Sequence, residues 1–331
     1  MRAAVVANGS ISIDTRPTPA PGSGEVVVRV VGAGLNRADL LQRMGLYPAP
    51  AGSPVDIPGL EFSGTVETVG AEVGDLAIGD RVFGIVGGGG QAESLCVAAA
   101  HCARVPDGLD LVAMGGVAEA FVTAHDALVT NASVRRDDWV LIHAVGSGVG
   151  TAALQLAKAL GTKVVGTARS ADKLRRCESL GLDVGIVPPL AADGTLDAPA
   201  LAAMLRDATD GHGADVTLDL VGGTYLEAEV ASAALLGRIV LIGTLGGSRA
   251  SFDILGAMQR RLTIRGTVLR TRTFDEKAAV TRAFERDVVP LLTNGEIVPI
   301  IEATMPLDRA HDAYELLASD TTFGKIVLDC Q

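Results

Sequence analysis

Residues 140–150 read V-L-I-H-A-V-G-S-G-V-G, and an alanine- and leucine-rich stretch, T-A-A-L-Q-L-A-K-A-L-G, follows at residues 151–161. This order predicts a buried strand, a glycine turn and a helix. Glycines at such a turn let the backbone approach a phosphate, and the N–H groups of the helix's first turn attract anions. We therefore expect a dinucleotide pyrophosphate to bind the residues that begin the helix: Ser147, Gly148, Val149 and Gly150.

The spacing of this turn departs from the strict G-x-G-x-x-G pattern, because Gly146, Gly148 and Gly150 are each two residues apart. A looser A-x-x-S-x-x-G pattern through Ala144, Ser147 and Gly150 also fits. The order of the following segments strengthens the prediction. Apolar strands are expected at 163–167, 184–187, 215–220, 238–242 and 262–268. Helical spacing occurs between them, at 171–180, 198–208 and 225–236. Short strands joined by crossover helices predict a parallel, doubly wound Rossmann sheet.

The segments on either side of this region follow a different pattern. Residues 25–31, 62–70 and 80–86 alternate with period two and predict a β-rich domain. After residue 275 we expect a helix at 276–293, a segment at 297–304, a helix at 308–318 and a last strand at 325–329. That last strand is expected to join the first domain's sheet. The prediction is thus an α/β chain in which a Rossmann domain, 121–269, is inserted into a β-rich catalytic domain, 1–120 with 270–331. The cleft between them is expected to hold nicotinamide and substrate.

Composition limits the classes of function. The 331-residue chain is 48% hydrophobic and carries a formal net charge of −11, which disfavours a nucleic-acid partner. No run of about 18 apolar residues is present, and no leader pattern is visible, so a soluble cytoplasmic protein without membrane contacts is expected. The four cysteines lack metal-ligand spacing and are expected to be reduced thiols.

Five ordered segments carry a resemblance to a known family. They are G-L-N-R-A-D-L-L-Q-R-M-G-L-Y-P from Gly34, P-G-L-E-F-S-G-T-V from Pro58, G-D-R-V-F from Gly79, L-I-H-A-V-G-S-G-V-G from Leu141 and G-T-V-L-R-T-R-T from Gly266. The chain resembles the zinc-independent medium-chain dehydrogenases/reductases, and most closely the p53-inducible-type NAD(P)H:quinone oxidoreductases, which are zeta-crystallin-like. The resemblance implies a GroES-like catalytic domain around the Rossmann domain.

The resemblance also bears on metal binding. Zinc-dependent members carry a cysteine and a histidine at the positions of Asn36 and Leu60, and neither residue present here can replace thiolate or imidazole as a zinc ligand. A metal-free site is therefore expected. The neighbouring Glu61 is expected to partner a backbone group or an arginine.

Without a metal, catalysis must rest on hydride positioning and on hydrogen-bond donors to the oxygen that gains charge. The resemblance implies that Tyr47 lies near the nicotinamide, where its hydroxyl is expected to donate to the substrate; the alternative is a loop tyrosine packed on prolines. Asn36 and Asp39 match a family pair at the same site. Asp39 is expected to orient Arg43 or a backbone amide, and Gln42 is a weaker candidate for the same wall. Relatives carry an aromatic residue at Gln91, so a pocket lined by Gln91 is expected to be more polar.

Further cofactor contacts follow from matching positions. The resemblance implies that Thr123 lies near the carboxamide, that Gly243, Thr244 and Leu245 flank the nicotinamide ribose, and that Leu269 and Arg270 lie near the nicotinamide face. Arg270 is alternatively a solvated or phosphate-binding side chain. His143 reads as a core histidine satisfied by backbone rather than as a catalyst.

Cofactor choice is read from the end of the second strand. NAD enzymes usually place an acidic residue there to bind the ribose hydroxyl groups, and Ala168 occupies that position. Arg169, Ser170 and Lys173 are near enough in sequence to bind a 2′-phosphate. NADPH is therefore predicted, although Asp172 could also turn toward the ribose.

Three functions remain open from the sequence. The leading one is a metal-free NADPH-dependent quinone reductase. The second is an NADPH-dependent alkenal or enone double-bond reductase, and the third is a non-catalytic NADPH-binding redox sensor. The apolar segment 262–268 is expected to end the cofactor sheet, and its exposed edge favours a homodimer.

Overall fold

The computed structural model describes residues 1–331 and divides into two compact units. The terminal unit comprises residues 1–122 and 269–331, and the inserted unit comprises residues 123–268. The predicted domain boundaries differ from these by two residues at the first boundary and by one at the second. One insertion therefore interrupts a unit built from both ends of the chain.

The first part of the terminal unit is mostly β-structure. Its strands are β1 (Arg2–Ala7), β2 (Ser10–Thr15), β3 (Glu25–Gly34), β4 (Glu61–Val69), β5 (Arg81–Ile85), β6 (Ser94–Ala98) and β7 (Cys102–Arg104). Its α-helices are α1 (Arg37–Arg43), α2 (Leu111–Met114) and α3 (Ala118–His125), and a 3-10 turn covers Ala99–His101. Helix α3 continues into the inserted unit, where a π-helical segment, Asp126–Asn131, follows it.

The inserted unit alternates strands with helices. Its strands are β8 (Trp139–Ile142), β9 (Lys163–Thr167), β10 (Val184–Ile186), β11 (Ala214–Asp219), β12 (Ala233–Leu241) and β13 (Thr263–Gly266). Its helices are α4 (Gly148–Ala159), α5 (Ala171–Glu178), α6 (Ala198–Asp207), α7 (Tyr225–Ser232) and α8 (Ile254–Arg260).

The chain then returns to the terminal unit. This part contains helices α9 (Phe274–Asp287), α10 (Val289–Thr293) and α11 (Ala310–Ala318), a 3-10 turn at Leu307–Arg309, and strands β14 (Ile301–Pro306) and β15 (Lys325–Asp329). Strand β15 pairs with β3 and β14 in a seven-stranded sheet of order β14-β15-β3-β4-β5-β7, with β6 on β3. The prediction that the last strand joins the first domain's sheet is confirmed.

The inserted unit contains a six-stranded parallel sheet of order β10-β9-β8-β11-β12-β13. In order of appearance this is 3-2-1-4-5-6, the doubly wound Rossmann arrangement. The direction of winding reverses between β8 and β11. Ligands of such sheets bind outside the carboxyl ends of the strands at this reversal, and α4 begins there.

Two predicted helices end earlier than expected. The helix predicted at 276–293 is two helices, α9 and α10, because Pro290 lies in the first turn of α10 and cannot continue the helix before it. The helix predicted at 225–236 ends at Ser232, and β12 begins at Ala233 with an irregular register against β11. Leu236 has a φ of +64°, which no helix accommodates.

No helix of the chain combines the length and the apolar character that crossing a bilayer requires.

Candidate functional site

The start of α4 has the geometry of an anion-binding site. Ser147 is the N-cap, and its hydroxyl oxygen accepts a hydrogen bond from the Gly150 N–H at 3.1 Å. The N–H groups of Gly148 and Val149 donate no hydrogen bond within the chain, and both residues are partly exposed. Two free donors at the positive end of a twelve-residue helix fit one or more phosphate groups.

Gly150 is required by packing rather than by backbone angle. A Cβ at this position would collide with the carbonyl oxygen of Ala144 and with the backbone of Val145. Ala144 itself adopts a φ of +48° in the turn, and the Val145 N–H donates to the Thr167 carbonyl at 2.9 Å. The turn is therefore fixed against the end of β9, and α4 begins close to the sheet.

Several other predicted cofactor residues follow strands of the same sheet. Arg169 and Ser170 follow β9, and Lys173 lies in the first turn of α5. Gly243, Thr244 and Leu245 follow β12. Because parallel strands have their carboxyl ends at one edge of the sheet, the structure brings these residues to the edge where α4 begins. Ser170 is the N-cap of α5 and accepts from the Asp172 N–H at 3.2 Å.

The position that selects between NAD and NADP is apolar. Ala168 is buried, and its N–H donates to the Ile186 carbonyl at 3.2 Å. The Asp172 carboxylate, which the sequence left as a possible ribose ligand, accepts a hydrogen bond from Arg175 at 2.9 Å on the exposed side of α5. Neither residue presents a free acidic group at the end of β9.

Three predicted cofactor residues lie elsewhere in the chain. Thr123 lies within α3 and is the first residue of the inserted unit, whereas Leu269 and Arg270 belong to the terminal unit. Leu269 is buried. The cofactor role of these three residues stays a prediction.

Arg270 is an internal residue of the terminal unit, so the solvated alternative is wrong. Its side chain is buried and donates from Nε to the Gly87 carbonyl at 2.8 Å, from one terminal nitrogen to the Tyr47 carbonyl at 3.0 Å, and from the other to the Gln42 side-chain oxygen at 2.6 Å. The guanidinium also lies 4.8 Å from the centre of the Tyr47 ring. Each guanidinium nitrogen therefore has a partner, and together they fix the Tyr47 segment.

Tyr47 is held by its backbone and ring, while its hydroxyl makes no hydrogen bond within the chain. The residue is partly exposed, and burial, together with the nearby Glu119, raises the pKa of the phenol, although Arg270 opposes this. The hydroxyl therefore stays protonated and available as a donor. The ring lies against Arg270, which was not among the partners considered from the sequence.

Asp39 is buried and accepts from the backbone N–H groups of Asn36, at 2.7 Å, and of Gly59, at 3.2 Å. Backbone amides are thus its partners, whereas the alternative partner Arg43 pairs with Glu315 at 2.6 Å. Burial raises the pKa of Asp39 to about 6, although these hydrogen bonds and the nearby Lys325 and Arg270 lower it. Asp39 orients the start of α1.

Gln91 does not line a pocket. It is completely buried; its side-chain nitrogen lies 3.4 Å from an Asp39 oxygen, and its side-chain oxygen accepts from the Tyr314 hydroxyl at 2.9 Å. The expectation that Gln91 makes the substrate pocket more polar is therefore wrong. The carboxamide instead connects α1 to α11 inside the terminal unit.

Asn36, Glu61 and Lys325 form a buried polar cluster. The Lys325 ammonium donates to the Leu35 carbonyl and to the Asn36 side-chain oxygen, both at 2.7 Å, and pairs with Glu61 at 2.6 Å. Glu61 also accepts from the Asn36 amide nitrogen at 2.9 Å. As expected, Glu61 has a backbone partner, the N–H of Glu119 at 2.9 Å. The cation that pairs with Glu61 is Lys325 rather than an arginine. Asn36 is therefore held on both sides.

Glu119, which the sequence analysis did not single out, lies beside this cluster as the second residue of α3. The residue as a whole is partly exposed, and its carboxyl accepts no hydrogen bond within the chain. Its pKa is raised to about 8, first by burial and then by the nearby Glu61 and Asp39, while Lys325 and Arg270 oppose the shift. The only sequence signal was an acidic residue in an otherwise apolar helix start.

His143 is buried, as predicted, but its one hydrogen-bond partner is the Thr167 side chain rather than the backbone, and its Nε2 makes no hydrogen bond. Its Nδ1 lies 2.8 Å from the Thr167 hydroxyl and its Nε2 lies 3.2 Å from Glu229. Glu229 is also completely buried, and neither of its oxygens receives a hydrogen bond. Burial lowers the pKa of His143 to about 4 and raises that of Glu229 to about 8, so both favour their uncharged forms. The nearby Asp219 accepts from the Val221 and Gly222 N–H groups.

Comparison with known proteins places both units in known families. The family described as "Alcohol dehydrogenase GroES-like domain" matches residues 22–133, and the family described as "Zinc-binding dehydrogenase" matches residues 148–285. A quinone oxidoreductase from Pseudomonas aeruginosa is 31% identical over 93% of this chain and 92% of its own length.

Solved structures with a similar fold cover nearly the whole chain. A mycobacterial protein solved in complex with NADPH has a TM-score of 0.85, is 28% identical and matches 99% of each chain. A structure described as an NAD-dependent alcohol dehydrogenase has a TM-score of 0.83, is 30% identical and also matches 99% of each chain. Some other relatives are much longer polyketide synthases, of which this chain spans at most 14%.

Proposed function

Because the chain belongs to the medium-chain dehydrogenase/reductase family, of the quinone oxidoreductase type, we propose that this oxidoreductase is a metal-free enzyme that uses NADPH to reduce quinones. The observation that carries the proposal is the start of α4. Two N–H groups there lack partners, Gly150 leaves no room for a side chain, and the site lies where the sheet reverses its order of winding.

The choice of NADPH over NADH is supported by the end of β9. Ala168 is buried and Asp172 is paired with Arg175, so no acidic group opposes a 2′-phosphate there. Arg169 and Lys173 supply positive charge in the same segment, and phosphate binding by such side chains is charge-assisted. One relative of the same fold was solved with NADPH, although another is described as NAD-dependent.

Bound NADPH would supply a hydride from its reduced nicotinamide. The residues of the chain then have to orient the acceptor and stabilise the charge that develops on its oxygen. We assign this role to the Tyr47 hydroxyl, which has no partner and belongs to a segment fixed by Arg270. Asn36 and Asp39 position the start of α1 from within the terminal unit.

The metal-free character of the reaction is supported by side-chain chemistry. Asn36 and Leu60 occupy the positions where zinc-dependent relatives carry ligands. The Asn36 amide is bonded to Glu61 and Lys325, and Leu60 is buried. An amide and an isobutyl group are poor zinc ligands.

We also propose a cytoplasmic homodimer. The four cysteines are free thiols, which fits a reducing compartment. Strand β13 ends the inserted sheet and is mostly exposed, and an uncovered edge of this kind can pair with a second copy. Light scattering that returns the mass of one chain would contradict the dimer.

Titration and turnover assays test the proposed function. Purified protein is titrated with NADPH and NADH, and NADPH consumption is then followed with 1,4-benzoquinone, 9,10-phenanthrenequinone and a 2-alkenal. We expect tighter binding of NADPH and faster turnover with the quinones. Equal or tighter binding of NADH would contradict the cofactor assignment. Turnover of the alkenal alone indicates an enone reductase, and binding without turnover indicates a redox sensor.

A further inference from the structure

The two cations near Glu119 already have their full set of partners. The three hydrogens of the Lys325 ammonium are directed at the Leu35 carbonyl, the Asn36 oxygen and Glu61. Each nitrogen of the Arg270 guanidinium also donates to an acceptor of the terminal unit. Glu119 therefore lies within electrostatic range of two cations, yet forms an ion pair with neither.

The start of α3 offers Glu119 no compensating role. An acidic residue in the first turn commonly stabilises a helix through its free N–H groups. Here the Glu61 carboxylate performs this function, because it accepts the N–H of Glu119 itself at 2.9 Å. The Glu119 carboxyl is thus left without a hydrogen bond beside two other carboxyl groups, those of Glu61 and Asp39. These surroundings disfavour its ionised form.

Glu119 is also near the group that we assign to the acceptor. Glu119 is coupled electrostatically to the phenol of Tyr47, to Arg270 and to Lys277 of α9. The Tyr47 phenol can orient an oxygen but is a weak acid, and burial makes it weaker. A carboxyl that is protonated near neutral pH is a much better proton donor. The two side chains therefore have complementary properties.

We propose that Glu119 is the general acid of the reaction, a role that rests on the proposed function. Bound NADPH would supply the acceptor with a hydride, which carries two electrons, and would itself be oxidised. The O–H bond of Glu119 breaks, and its proton forms a new O–H bond at the acceptor oxygen that gained charge. A quinone that takes up one hydride and one proton becomes a hydroquinone. The Glu119 carboxylate then recovers its proton from solvent.

The groups around Glu119 predict the pH dependence of this step. Glu61 of β4 and Asp39 of α1 raise its pKa, whereas Lys325 of β15 and Arg270 lower it, and burial is the largest effect. Tyr47 and Lys277 are also coupled to it electrostatically. Since the pKa of Glu119 is about 8, the donor is lost as the pH rises through this value. Turnover should therefore fall on the alkaline side.

The test compares Glu119→Gln with a matched control, Glu227→Gln, which removes an exposed glutamate from the first turn of α7. We expect Glu119→Gln to lower kcat for 9,10-phenanthrenequinone by about 10²–10⁴-fold, the range for loss of a general acid. The dissociation constant of NADPH should stay unchanged, and the alkaline fall in rate should disappear. Glu227→Gln should resemble the wild type in all three measurements.

A second measurement does not depend on cofactor or turnover. The infrared difference spectrum between wild type and Glu119→Gln should contain the C=O stretch of a protonated carboxylic acid at neutral pH, and this band should vanish above about pH 9. Absence of the band at neutral pH would overturn the proposal. So would a Glu119→Gln variant that keeps the wild-type kcat and alkaline fall. A wild type that turns over no acceptor would overturn the proposed function, and the role of Glu119 with it.

Discussion

Tyr47 illustrates how a single hydroxyl can be prepared for a substrate. Its carbonyl and ring are both engaged by Arg270, so the side chain is held while its hydroxyl remains free. Tyr47→Phe keeps the ring and removes the donor. We expect kcat to fall about 100-fold at unchanged NADPH affinity, the scale reported for loss of one donor to a developing oxyanion.

Tyr47→Leu provides the matched comparison, because it removes the ring contact with Arg270 as well. We expect it to lower the free energy of unfolding in addition to kcat, whereas Tyr47→Phe should affect kcat alone. Steady-state kinetics and urea denaturation of both variants give these quantities. A Tyr47→Phe variant with the wild-type rate would leave only a packing role for this residue.

A second prediction for a single residue concerns the contribution of Lys325 to stability. It is buried and is the only cation that contacts the Glu61 carboxylate directly. Lys325→Met keeps much of the side-chain volume but leaves that carboxylate buried without its charge partner. We expect the free energy of unfolding to fall by about 3–5 kcal/mol, the usual cost of breaking a buried ion pair from one side.

Glu61→Gln in the same background is the control for charge. A neutral amide can still accept from the Asn36 side chain and from the Glu119 N–H, so the double variant should recover part of the lost stability. Denaturant unfolding of the two single variants and the double variant measures this. Equal instability of Lys325→Met and the double variant would show that packing, not charge, explains the loss.

At the scale of elements, the beginning of α4 combines structural and binding roles. Gly150 meets the Ala144 carbonyl and the Val145 backbone too closely for any side chain. Gly150→Ala must therefore push the first turn of α4 away from the turn after β8, and the Gly148 and Val149 N–H groups move with it. We expect NADPH affinity to fall at least about tenfold, which corresponds to about 1.4 kcal/mol.

Ser147→Ala separates helix capping from this displacement. It removes the hydroxyl that accepts the Gly150 N–H but adds no bulk at the contact. We expect it to cost about 1 kcal/mol of stability, the typical value for an N-cap, and to weaken NADPH binding less than Gly150→Ala does. Isothermal calorimetry and thermal unfolding distinguish the two. Unchanged NADPH affinity in Gly150→Ala would argue against phosphate binding at this turn.

The elements themselves differ in how well the sequence predicted them. Parallel strands buried on both faces read as apolar runs, so β9 and β11 were found within one residue at each end. The break between α9 and α10 was missed because apolar spacing continues across Pro290. Residues 233–236 were assigned to a helix because Ala-Ala-Leu-Leu satisfies helical spacing, yet pairing with β11 and the positive φ of Leu236 decide otherwise.

For the whole molecule, charged residues inside the two units were the part that the sequence could not predict. The partners of Glu61 come from positions 36, 119 and 325, so no local pattern announces them. Glu119 and Glu229 lie on helices, where an acidic residue ordinarily faces solvent. The motif-based residues of the α4 turn could be predicted because they are contiguous, whereas the partners of Arg270 could not, because its three acceptors lie about 180–230 positions away.

The buried side chains of Glu229 and His143 also make the stability of the molecule depend on pH. The pKa of Glu229 is about 8 in the folded chain, against an ordinary value of 4.5, so the folded state holds a proton that the unfolded chain releases between these values. Stability therefore decreases as the pH rises from about 4.5 to about 8. His143 acts in the opposite direction, because its pKa of about 4 lies below the ordinary 6.5, and its contribution is lost as the pH falls between these values.

Glu229→Gln separates the contribution of Glu229 to the pH dependence of stability from that of His143. It removes the acidic proton but retains a polar side chain beside His143 and Asp219. At about pH 8.5 the variant should be more stable than the wild type by about 1–3 kcal/mol, whereas near pH 5 the two should be similar, because little of the penalty is present there. Urea unfolding at both pH values measures this difference, with Glu227→Gln as an exposed control. If the stability difference between Glu229→Gln and the wild type is the same at both pH values, Glu229 is ionised in the folded chain and carries a negative charge beside His143.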